Sequence, residues 1–117
     1  MKNPKHADAG QVVGNLAFHI LLALGDGAAH GYAIGKDVER RSEGRLDPTT
    51  GALYQALKRL VDRGLVALTE PPEPSPDARR KYFELTPEGR DAAAREAERL
   101  ADLVAAARRK NLFPSRA

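Results

Sequence analysis

Apolar residues recur at Val13, Leu16, Ala17, Ile20, Leu21 and Leu24, the three- and four-residue spacing of one helical face, and Gly25, Asp26 and Gly27 end the run. A second helical segment spans His30 to Arg41 with a thin stripe at Ile34 and Val38, stopping near Ser42 and Gly44. Gly35 within it costs about 1 kcal/mol relative to alanine, which predicts a helix crossing closely there. Asp47 as N-cap and Pro48 at the first helical position predict a third helix, with Leu53, Ala56, Leu57, Leu60 and Val61 inward and Gly64 as its stop. Leu65 to Glu70 and Arg79 to Leu85 read as short strands, with Lys81, Phe83 and Leu85 on one face of the second. Between them, Pro71 to Ala78 has four prolines in eight residues and cannot join a ladder, so the strands form a hairpin around a stiff loop. Thr86 and Pro87 repeat the cap-plus-proline start, and a helix follows to about Lys110 with Ala93, Ala97, Leu100, Leu103, Val104 and Ala107 along one stripe.

Composition narrows what such a chain can do. Its 117 residues allow one domain with an appendage, and 42% hydrophobic residues can fill a small core. The absence of cysteine excludes disulfides, thiolate-held zinc, iron–sulfur clusters and thiol nucleophiles. The longest apolar stretch, Leu16 to Leu24, is interrupted by His19 and falls far short of the roughly 20 residues of a membrane span. Residues Met1 to Gly10 show no export signal, so a cytoplasmic location without a membrane partner is expected. His6, His19 and His30 lack metal-ligand spacing, and no glycine-rich loop joins a strand to a helix. No catalytic residue, metal or cofactor is therefore expected; His19 reads as a packed structural histidine, and His30 as the start of the second helix.

The element order gives a fold that is mainly α with a small β-hairpin, a winged helix-turn-helix plus a long C-terminal dimerisation helix. The expected layout is a flexible segment over 1–11, the winged domain over 12–86, the dimerisation helix over 87–110 and a frayed tail over 111–117. The net charge of +3 decides little by itself, so placement matters. Opposite the apolar face of the third helix stand small residues, Gly51 and Ala52, then Gln55, Lys58 and Arg59. Small residues let the helix start approach DNA; Gln55 suits an adenine edge, and Lys58 or Arg59 a guanine or phosphate. The hydroxyls of Thr49, Thr50 and Tyr54 suit phosphate contacts. Arg79, Arg80 and Lys81, three consecutive cations at the base of the hairpin, suit phosphates in the same way. Each group also has a plainer reading: a solvated helix face for the first, and neutralisation by Glu70, Glu73 and Asp77 for the last. The last helix is longer than this small domain can cover, so Leu100, Leu103, Val104 and Ala107 are expected to meet a second copy, with Ile20 and Leu24 of the first helix contributing.

Three stretches, His30-Gly31-Tyr32-Ala33-Ile34, Gly51 to Leu60 with Gly64-Leu65-Val66, and Arg80 to Gly89, resemble the PadR family of bacterial transcriptional regulators, over about Leu16 to Gly89. The resemblance implies a dimeric winged-helix repressor with its third helix and wing on double-stranded operator DNA, of the compact type with a single C-terminal helix. A homodimer on a pseudo-palindromic site, released by a small-molecule effector, is the expectation. Phe83 stands where the family often has a second tyrosine, and the proline-rich, acidic wing tip is also a departure. Two alternatives stay open: a winged-helix module that binds protein, and a small-ligand-binding dimer without operator specificity.

Overall fold

In the computed structural model, residues 13–72 and 80–114 are described. The elements are α1 (Asn15–Ala23), β1 (Ala29–His30), α2 (Gly31–Arg41), α3 (Thr50–Asp62), β2 (Val66–Thr69), β3 (Tyr82–Leu85) and α4 (Pro87–Arg109). The apolar face of α1 is turned wholly inward: Ile20, Leu21 and Leu24 are fully buried with Ile34 and Val38 of α2 and Leu57 and Leu60 of α3. Full burial of each such side chain contributes about 1.5–3 kcal/mol. The close crossing expected at Gly35 is present, because a β-carbon there would stand 3.3 Å from a methyl of Leu53.

Caps decide where α3 begins and ends. Its N-cap is Thr49, not Asp47: the Thr49 hydroxyl accepts the Ala52 N–H at 3.0 Å, which satisfies a free donor of the first turn and starts the helix two residues later than Pro48 suggests. At the other end Gly64 takes φ +77°, and the N–H of Leu65 returns to the Leu60 carbonyl at 2.9 Å. The chain leaves directly into β2.

The sheet has three antiparallel strands rather than the two of the expected hairpin. β3 is central, paired with β2 (Leu68 opposite Phe83, Thr69 opposite Tyr82) and on its other side with β1 (Ala29 opposite Phe83, His30 opposite Tyr82). The second strand of the hairpin is thereby fixed to the residue that starts α2.

Thr86 caps α4 as expected, accepting the Gly89 N–H at 2.9 Å, and its hydroxyl also donates to the Gly64 carbonyl at 2.6 Å. α4 rises about 1.5 Å per residue, so its 23 residues run roughly 35 Å. It packs on α1 and β3 through its first turns, where Gly89, Ala92 and Glu96 are buried. After α4, Asn111 adopts φ +60°, the Leu112 N–H meets the Ala107 carbonyl at 2.8 Å, and the Phe113 ring lies 3.8 Å from the Arg108 guanidinium; the rest of the expected tail, 115–117, and the expected N-terminal segment 1–11 lie outside the described residues.

Candidate nucleic-acid interface

The alternation of α3 separates its two faces cleanly. Leu53, Ala56, Leu57 and Leu60 are buried, while Thr49, Thr50, Gly51, Ala52, Gln55, Lys58 and Arg59 are exposed. Nothing lies within 4 Å of a β-carbon placed on Gly51, so the start of the helix offers bare backbone to whatever approaches. Lys58 Nζ is 3.1 Å from Asp62 on the next turn, both side chains largely in water. Such a pair is worth little and gives way to a stronger anion.

Tyr54 sits differently from its neighbours. Its ring packs towards Phe83 at 6.4 Å between centroids, and its hydroxyl lies against Gly31, where a β-carbon would come within 2.2 Å of the phenolic oxygen. Tyr54 is thus chiefly a strut between α3, α2 and the sheet, with one edge in solvent. Gly31 is glycine to make room for it.

At the base of the hairpin Arg80 and Lys81 are exposed; Arg79 and the proline-rich tip from 73 to 79 lie outside the described residues. Arg80 reaches across to α2, its guanidinium 2.8 Å from His30 Nε2. His30 is the N-cap of α2, its Nδ1 taking the Ala33 N–H at 3.2 Å, and its ring lies edge-on to Tyr82 at 5.4 Å. The histidine therefore joins three elements, a role that spacing alone does not display. Tyr32 and Lys36, on the outer side of α2, were not among the expected contacts; their place opposite Ile34 and Val38 in the helical period is the signal for them.

Along α4, Leu103 is 54% exposed, Leu100 and Val104 are more than a third exposed, and Ala107 is half-buried. Ile20 and Leu24 are corrected: at 0% and 1% exposure they belong to the core of this subunit, and a side chain already buried has no area left to give a partner. Leu22, 39% exposed, is the large residue that α1 turns outward. Glu96 interrupts the apolar stripe. Its carboxylate accepts from Arg99 Nε at 3.0 Å and Nη2 at 2.6 Å and from the Val13 N–H, and Arg99 holds it below the usual carboxylate range against the opposing effect of burial. His19 keeps its place on α1, half-buried, with Nδ1 enclosed and without a hydrogen-bond partner among the described residues.

The profile of the transcriptional regulator PadR-like family matches residues 20–95, which takes in α2, α3, the sheet and the start of α4. The chain belongs to this family of DNA-binding transcriptional regulators. A PadR family transcription regulator of Clostridium difficile has the same fold, with TM-score 0.69 and 27% identity over 82% of this chain and 97% of that one. Bacillus subtilis PadR, solved in complex with operator DNA, superposes with TM-score 0.54 at 23% identity, over 68% of this chain and 44% of that one. An uncharacterized 37.1 kDa protein in transposon TN4556 of Streptomyces fradiae is 44% identical over 84 residues, 72% of this chain; the match spans only 22% of that relative's length. Among the described residues no helix is long and apolar enough to cross a membrane.

Proposed function

We propose that this chain is a cytoplasmic, sequence-specific DNA-binding regulator that acts as a homodimer on a pseudo-palindromic operator and represses by occluding the promoter. The observation that carries this reading is the outer face of α3, where Gly51, Ala52, Gln55, Lys58 and Arg59 stand exposed opposite a buried leucine face, together with the exposed Arg80 and Lys81 that lead into β3. Gln55 has the chemistry for an adenine edge, and Lys58 and Arg59 that for guanine or phosphate. The complex of B. subtilis PadR with operator DNA supports the same use of the fold here. A homodimer is supported by the exposed Leu100, Leu103 and Val104 of α4, which a partner's helix would cover.

Release by a small molecule fits the connection between the two helices that matter. Thr86 ties the start of α4 to Gly64 at the end of α3, so a change in the angle between two α4 helices would turn the reading heads relative to one another. The chemistry is binding, without catalysis. Gel shifts on genomic fragments against scrambled duplex test the reading: the wild type should select a fragment, and Gln55→Ala should lose about 1–3 kcal/mol of that discrimination while still folding. Equal affinity of the wild type for every duplex would overturn sequence-specific regulation. Capture of a protein partner without DNA affinity would favour an interaction module instead.

A further inference from the structure

Tyr32 and Lys36 stand out on α2 because neither serves the core. The Tyr32 ring is 66% exposed, stacks beside His30 at 6.4 Å and 21°, and carries Lys36 Nζ 5.6 Å from its centroid. The same two residues form the ridge between two hollows. On one side is a groove of about 230 Å³ against α3, lined by Gly31, Gly35, Thr50 and Tyr54; on the other is a hollow that opens towards His30 and Arg80. Thr50, Tyr32, Lys36 and Arg80 therefore follow one another across the surface from the third helix to the base of the hairpin.

We infer that Tyr32 and Lys36 form a seat for backbone phosphates that makes the DNA-contacting surface continuous between α3 and the wing. The inference rests on the DNA-binding reading and extends it to residues outside α3 and the wing. The aromatic face limits the directions in which Lys36 can point, so less side-chain freedom is lost when it meets a phosphate. Its other neighbour, Glu39 at 3.7 Å, is a half-exposed partner that a phosphate can replace. Asp37, beside the second hollow, is already neutralised by Arg40 and Arg41. Glu39 and Asp47 at the far end of the α3 groove repel phosphate, which fixes where the strand must leave the protein: past Lys36, without following α2 further. A contact of this kind adds affinity for every duplex and carries no base preference.

The test is a fluorescence titration with a random-sequence duplex between about 50 and 200 mM salt, using the full chain and its Lys36→Ala, Tyr32→Leu and Arg95→Ala variants. Arg95→Ala removes the same charge from an exposed residue of α4 that lines neither hollow. Lys36→Ala should weaken binding about five- to tenfold at low salt and cut the log–log salt slope by about 0.9, with an unchanged melting temperature. Tyr32→Leu should weaken binding several-fold, and Arg95→Ala should leave the slope as in the wild type. A wild-type slope in Lys36→Ala, or an equal loss in Arg95→Ala, overturns the phosphate seat while leaving DNA binding in place. Failure of the wild type to bind any duplex overturns the DNA-binding reading itself, and the two failures are told apart in one titration.

Discussion

Gly89 and Leu65 touch backbone to backbone: a β-carbon on Gly89 would stand 1.9 Å from the Leu65 carbonyl oxygen. That oxygen also accepts the Thr86 N–H at 3.2 Å, so Leu65, three residues past the end of α3, is held by the N-cap of α4. Gly89→Ala must open this junction. The variant should lose about 1–3 kcal/mol to overpacking even though alanine favours a helix, read as a lower urea midpoint at an unchanged m-value. A midpoint at or above that of the wild type would refute the contact.

Gly51 makes the opposite case. With open space around its would-be β-carbon, Gly51→Ala should stabilise α3 by about 0.5–1 kcal/mol. The added methyl stands on the face proposed to meet DNA, so affinity for the selected fragment should fall while the melting temperature rises. A rise in both would place the DNA elsewhere.

Replacing Arg79, Arg80 and Lys81 by alanine should weaken binding to all duplexes almost equally. Each phosphate contact removed should lower the log–log salt slope by about 0.9. Loss confined to one sequence would instead make the wing a reader of bases.

Leu100→Glu combined with Val104→Glu places two charges on the exposed stripe of α4, whose first turns alone pack on the domain. In water these charges cost little; buried in a dimer seam without partners they cost several kcal/mol. Sedimentation should give a folded monomer, and operator affinity should fall steeply with the loss of the linked half-site. A dimer of unchanged mass would put the interface on another surface.

Because Arg99 lowers the folded-state pKa of Glu96, the carboxylate's contribution is complete above its ordinary value of 4.5 and is lost as the pH falls through the lower folded value. Glu96→Gln should therefore be less stable than the wild type at neutral pH, with the difference shrinking below 4.5. A stability gap that stays constant with pH would show that the ionised pair contributes nothing at α4.

The period of Leu53, Leu57 and Leu60 and the Thr86-Pro87 start were enough to place α3 and α4, because burial and capping leave regular marks in a sequence. β1 left none: two residues cannot show a period, and Ala29 becomes strand only because Phe83 pairs with it. The outward face of α3 was legible residue by residue. The division of α1 was not, since an apolar face does not say whether its cover is the same chain or another, and Ile20 and Leu24 proved to be covered from within. Nor does spacing reveal that Tyr54 spends its hydroxyl end on Gly31.

β3 is held from both sides, by β2 and by β1, and that bears on how the hairpin can vary. Arg80 and Lys81 run straight into Tyr82 and Phe83, whose partners lie in β1 and β2 on either side, and Arg80 also meets His30 at the end of β1. A change in the length or composition of the proline-rich segment is therefore expected to leave Tyr82, and with it Arg80 and Lys81, where the two flanking strands hold it.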